Sequence, residues 1–462
     1  MPAVQGQRSK EGSKEESQEH SLAVKVKLIA ASFIGNMLEL YDFTLFAVFA
    51  VLISPVFFPS KDPAVSLLLT VAVFGIGGVA RPLGAILIGR YADRAGRRAA
   101  LSFTILLMAA ATGLVGLVPS YDSIGIAAPV LVILLRLVQG FAAGGELGGA
   151  VTFLAEHAPA RSRAYYISWV NAGSISAGLL SALIGLTLSR LLDPAAMHAW
   201  GWRLPFLIGA LLGPVGFYMR SQLPETPAFE KTREDGPPRE AARGDGFVAN
   251  LRLVILVALA IVPTTAFTYV MLNYMPTYAN RELGLPLDQA FGSALVGSAV
   301  VLVAMPLFGL LADKVGRKPL MYVAGLAMAA GIIPAFQFLQ SQKSFAALVT
   351  VQVLVAVIGS LYASPSTALG SELFPTRIRS TAVSIAYTSS IVLFGTFAPF
   401  TVTWLIYVTG NSLAPGYYVA GCAVLGLLAL RPLPDRTGQP LELTQDALVV
   451  VPATPALEPR QA

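Results

Sequence analysis

Apolar residues run through this chain in long blocks rather than in alternation, and short stretches of charge, glycine and proline separate the blocks. A helix needs roughly 20 apolar residues to cross about 30 Å of hydrocarbon. Twelve stretches reach or approach that length: 27–57, 65–90, 99–119, 124–155, 163–189, 203–220, 251–279, 289–312, 319–340, 345–371, 380–408 and 416–431. Several exceed a straight crossing, which predicts tilt and extension into water. The pattern predicts an all-α membrane protein of twelve transmembrane helices. Three hydrophilic stretches frame them: a tail at 1–26, a linker at 221–250 rich in Pro, Glu, Arg and Gly, and a polar, proline-dotted tail at 433–462 that reads as disordered.

The chain also repeats itself. GRYADRAGRR at 89–98 returns 220 residues later, with Gly89, Asp93, Gly96, Arg97 and Arg98 answered by Gly309, Asp313, Gly316, Arg317 and Lys318. The pattern E-x-x-P-x-R-x-R at Glu156, Pro159, Arg161 and Arg163 returns at Glu372, Pro375, Arg377 and Arg379, and Leu223-Pro224-Glu225 returns as Leu433-Pro434-Asp435. Three matches in one order at nearly one shift mean two homologous halves, 27–220 and 251–432, of six helices each.

At 55% hydrophobic and 13% charged, the chain is too apolar for a soluble protein of 462 residues. The first 26 residues carry no apolar run with a cleavage site, which argues against a signal peptide. One cysteine, Cys422, and three scattered histidines offer neither a disulfide nor a metal site, and no cofactor is expected. With both termini placed in the cytoplasm, 25 of the 32 Lys and Arg fall on that side and 5 on the other. The basic excess is therefore a topology signal and not a nucleic-acid footprint.

Charge inside a bilayer is costly and needs a partner or a task. Away from helix ends, such charges occur only in the first half: Glu39 and Asp42 in helix one, Arg81 in helix two, and Arg136 and Glu146 in helix four. Glu39 and Asp42 stand three apart on one helical stripe. Two readings fit them, reversible protonation coupled to substrate, and static pairing with the two arginines. Arg81 and Arg136, the latter followed by Gln139, offer permanent bidentate charge to an anion, or to those same carboxylates. The glycines of GFAAGGELGGA after Arg136 read as close helix packing, since no phosphate-binding Lys-Ser or Lys-Thr follows them. In the second half the candidate polar groups are neutral: Thr265, Tyr269 and Asn273 step by four along helix seven, and Tyr362 and Ser366 along helix ten. Such groups either contact substrate or hold helices together.

The doubled loop motif, GRYADRAGRR and GLLADKVGRK, on a twelve-segment chain resembles the major facilitator superfamily. Within it, GNMLELYDF, ARPLGAILIGRYADRAGRR, RLVQGFAAGGELGG and the E-x-x-P-x-R-x-R turn are similar to the metabolite:proton symporter family. GGELGGA and NSLAPGYY look most like its citrate and tricarballylate carriers. The resemblance covers about 28–432. It implies two pseudo-symmetric six-helix halves and cytoplasmic ion pairs, from Asp93, Arg97 and Glu156 and from Asp313, Arg317 and Glu372, that close the inner side.

The expectation is a proton symporter, not an enzyme, taking up a small organic acid such as citrate across the bacterial inner membrane. The protein is expected to work as a monomer in the bilayer without nucleic acid. Arg81, Arg136, Gln139, Tyr269, Asn273, Tyr362 and Ser366 would meet substrate, and Glu39 or Asp42 would carry the proton. The alternatives are a proton symporter of a zwitterion such as proline or betaine, or of 2-oxoglutarate or shikimate.

Overall fold

The computed structural model describes residues 33, 36–37, 40–95, 97–145, 151–152, 154–156, 158–221 and 250–441, with the backbone alone at 89, 92–95, 97–98, 101, 145, 219–221 and 376–377. Helix α1 is a pair, Leu40–Val48 and Ala50–Phe57, bent by 74°. The sequence pattern predicts one unbroken helix there. Pro55 in the second piece has no N–H for the Val51 carbonyl, and the Ser54 hydroxyl donates to that oxygen at 3.2 Å in its place. Helix α2 starts at Pro63, where the Asp62 carboxylate accepts from the Ala64 N–H at 2.8 Å. It runs to Val79 and resumes as Arg81–Ala95, because Pro82 cannot donate to the Gly78 carbonyl.

The rest follow as α3 (Arg97–Leu117), α4 (Ala127–Ala142), α5 (Arg163–Leu191), α6 (Leu204–Ser221), α7 (Leu251–Arg281), α8 (Leu287–Val315), α9 (Arg317–Gln342), α10 (Phe345–Glu372), α11 (Thr376–Ile391, continued through Val392–Thr396 to Ala398–Thr409) and α12 (Ala414–Leu430). By length and composition seven helices can cross a membrane, or eight with the bent pair, and three more are shorter and apolar. With α6 they make the twelve that the pattern predicts. Large apolar side chains such as Leu83, Leu211, Val303 and Leu326 are exposed, as a surface bathed in lipid tails requires.

The packing is repeated. In the first half α3 lies on α6 and α4, and α2 on α4; in the second, α9 lies on α12 and α10, and α8 on α10. The halves meet where α5 packs along α8 and α2 along α11. The described part of the glycine run acts as a packing seam: a Cβ at Gly140 would run into the Gly77 carbonyl oxygen of α2, and one at Gly144 into that of Arg81, while 146–150 lie outside the described residues. The expectation of disorder from 433 onward does not hold for the described part of that tail, 433–441. Leu433 is buried in the core, the Asp435 carboxylate accepts from the Lys318 N–H at 3.0 Å, and the Thr437 hydroxyl accepts from the Arg317 N–H at 3.2 Å. These are unpaired donors of the first turn of α9, so a helix end buried at this face needs the tail to cap it.

Candidate functional site

A cavity lies between the halves, lined by α1, α2, α5, α7, α8 and α11 and by the turn Ala143–Gly145 after α4. Its empty volume, open solvent at its mouth included, is about 1170 Å³. Most of its polar lining is uncharged: Thr44, Asn171, Ser174, Thr264, Thr265, Thr268, Tyr269, Asn273, Ser298, Ser384, Tyr387 and Thr388. Among the described residues one charged side chain faces it, Arg81.

The break before Pro82 places Arg81 at the restart of α2, backed by Gly144. Its side chain is only 5% exposed, and Nε and Nη2 have no hydrogen-bond partner. Its guanidinium lies 4.3 Å from the centre of the Phe43 ring and hydrogen-bonds with the Tyr269 phenol. A buried guanidinium with free N–H groups is costly unless something completes it. A carboxylate from the cavity would do so with a forked pair of bonds.

Arg136 is placed differently. It is buried outside the cavity lining, with its Cζ 4.1, 5.0 and 5.3 Å from the rings of Phe46, Phe43 and Phe74. Nη1 donates to Gln139 Oε1 at 2.7 Å, and Gln139 Nε2 donates to Thr112 Oγ1 at 2.6 Å. Asp42, also buried, hydrogen-bonds with Thr112 and feels the Arg136 charge. Asp42, Thr112, Gln139 and Arg136 thus form one polar chain behind the wall of the cavity. Glu39 and Glu146 lie outside the described residues.

Of the other expected substrate contacts, Tyr269 and Asn273 line the cavity while Gln139, Tyr362 and Ser366 do not. Tyr362 donates to the Ala260 carbonyl at 2.9 Å, and Ser366 shares a 2.9 Å hydrogen bond with Thr264 Oγ1, so both hold α10 against α7. The lining hydroxyls Thr264 and Thr268 were not legible as a set with Thr265, Tyr269 and Asn273. Residues Phe267–Tyr274 adopt a π-helix, which widens the turn and brings a second stripe to the same face.

The end of the molecule that carries the repeated basic loops is closed by ion pairs. Arg317 Nη1 meets Asp313 Oδ1 at 2.8 Å, and Arg317 Nη2 meets Glu372 Oε1 at 3.0 Å. Among the described residues two bridges cross between halves, Arg163 to Glu372 and Arg379 to Glu156, each at 3.0 Å. Asp313 also accepts the N–H groups of Ala164 and Tyr165, at 3.0 and 2.9 Å, from the first turn of α5. The side chains of Asp93 and Arg97 lie outside the described residues. Arg163 and Arg379 join the expected gating set through their place in the E-x-x-P-x-R-x-R repeat. Gln439 of the tail accepts from Arg163 Nη1 at 3.3 Å, so the tail touches the opposite half as well. Burial pushes the Asp435 carboxyl up, but the Thr437 hydroxyl, the N–H groups of Lys318 and Thr437 and the Arg317 charge outweigh it and hold it below the ordinary carboxylate range. At the other end the Phe49 and Phe291 rings meet across the halves, 5.2 Å between centres, with Phe291 seated on Gly185.

Two repeated six-helix halves around a central, mostly uncharged cavity define a polytopic membrane carrier. The family model described as Major Facilitator Superfamily matches residues 32–314 and 290–458, and the chain belongs to that superfamily. A citrate-proton symporter of Klebsiella pneumoniae is 36% identical over 395 residues, covering 86% of this chain and 88% of its own. A proline/betaine transporter of Escherichia coli (strain K12) is 34% identical over 429 residues, covering 90% and 85%. The solved structure of a proton:xylose symporter bound to 6-bromo-6-deoxy-D-glucose matches with a TM-score of 0.73 at 20% identity, over 90% of this chain and 98% of that one, a likeness of fold.

Proposed function

We propose that this chain is a proton symporter for a small organic acid, a di- or tricarboxylate such as citrate, that alternates access by rocking the halves 27–220 and 251–432 about the central cavity. In this reading it sits in a bacterial inner membrane with the tails, the 221–250 linker and the ion-paired end in the cytoplasm. It works as a monomer and catalyses no covalent reaction. The observation that carries the reading is Arg81, a buried cation with two unpartnered nitrogens, in the lining of a cavity walled by hydroxyls and amides. One carboxylate completes the guanidinium, and the remaining carboxyl or hydroxyl groups of the ligand find donors and acceptors on α5, α7 and α11. Among the described residues, Asp42, reached from Arg136 through Gln139 and Thr112, is the group best placed to hold the proton.

The similarity to a proline/betaine transporter keeps a zwitterionic substrate as the second reading. A quaternary ammonium needs an aromatic face or a carboxylate. No carboxylate lines the cavity among the described residues, and two guanidiniums already share the Phe43 ring, which leaves Tyr269 and Tyr387 as the aromatic faces open to such a ligand. The deciding experiment is uptake of labelled citrate, 2-oxoglutarate, shikimate, proline and betaine into proteoliposomes with and without an imposed pH gradient. Gradient-driven accumulation of proline or betaine but of none of the acids would falsify the organic-acid reading.

A further inference from the structure

The Phe43 ring is shared. Arg81 Cζ lies 4.3 Å and Arg136 Cζ 5.0 Å from its centre, yet only Arg81 reaches the cavity. The ring therefore stands between the place where an anion would sit and the chain that leads to Asp42. Two like charges this close repel strongly in a medium of low dielectric, and the negative face of one ring offsets only part of that repulsion. Asp42 itself faces Tyr41 on its own helix, Thr112 from α3 and Arg136 from α4, while α6 presents Gly209, which has no titratable group. Arg81 faces Arg136 and the Tyr269 phenol of α7.

We infer that Phe43 is the coupling partition of the carrier: its ring keeps Arg136 out of the cavity and makes Arg136 respond to the charge on Arg81. The inference rests on the carboxylate and proton roles proposed above. When a carboxylate pairs with Arg81, one of the two like charges is cancelled. Arg136 is then repelled less and depends less on the negative charge of Asp42, so a proton on Asp42 and the bound anion stabilise one another. Linkage makes the effect mutual. Without the ring, Arg136 gains access to the cavity and pairs with substrate directly, so binding no longer depends on the state of Asp42.

The test compares wild type and Phe43→Leu in proteoliposomes with labelled citrate, reading both exchange against internal citrate and accumulation under an inside-alkaline gradient. In Phe43→Leu, accumulation should fall about tenfold more than exchange does, the scale of a desolvated cation–ring contact. Equal loss of both, or accumulation as in wild type, overturns the partition. If Phe43→Leu does not fold, 3,4,5-trifluorophenylalanine placed at 43 keeps the shape and removes the negative ring face, with the same expected split and the same overturning result. Absence of citrate uptake in wild type itself marks a different failure, that of the substrate reading.

Discussion

Arg81 and Arg136 are one residue type in one half of the molecule, and their surroundings give them different work. Arg81 has free N–H groups and a cavity in front of it, so Arg81→Ala should abolish carboxylate binding. Arg81→Lys keeps the charge but not the fork, and should weaken binding about 10- to 100-fold, the loss of one charge-assisted hydrogen bond. Equilibrium binding of labelled citrate to purified protein measures both. Asp42→Asn should separate transport from the gradient: exchange of internal for external substrate continues while gradient-driven accumulation is lost. These charges were legible in the sequence because ions in an apolar block are rare. Their division of labour was not, because spacing gives angles around a helix axis but not which arc meets the cavity. Asp42 and Phe43 are adjacent, about 100° apart around α1, and that single step puts one behind the wall and the other in it.

At the scale of elements, the apolar blocks and the repeated motifs announced the helices and their division into two halves. What they could not announce were departures from regular helix: the bend of α1 before Ala50, the restart of α2 at Arg81 and the π-helix Phe267–Tyr274. The last two lie in the cavity lining, and each of the three changes the register on which a stripe of residues is read. The glycine run was legible because a phosphate loop has a different ending. Its backbone contact with α2 leaves no room for a side chain, so Gly140→Ala should destabilise the fold by about 1–3 kcal/mol, the usual range for overpacking. The midpoint of thermal unfolding in detergent is the measurement.

At the scale of the whole molecule, the closed end depends on few groups. Glu372 binds Arg317 within its half and Arg163 across the gap, so Arg163→Ala should favour opening at the ion-paired end. A thiol introduced at the lining residue Ser384 should then react several-fold faster with a membrane-impermeant reagent supplied from that side. The tail at 433–441 caps α9 through Asp435, whose carboxyl is held below its ordinary range. A depressed folded-state value contributes stability above the unfolded carboxylate pKa of about 3.9, and that stability is lost as pH falls through the folded value. The protection of the amides at 433–441, corrected for the intrinsic exchange rate, should be constant from neutral pH to about 4 and fall below it, and Asp435→Asn should lower it at neutral pH.

The two closures are also made of different matter, ions at one end and the Phe49–Phe291 contact at the other. Buried ion pairs feel little screening while they are made, but the separated charges of the opened state are hydrated and attract counterions. Concentrated electrolyte should therefore ease the ionic seal and leave the aromatic one untouched. Ionic strength becomes a control that tilts this molecule in one direction only.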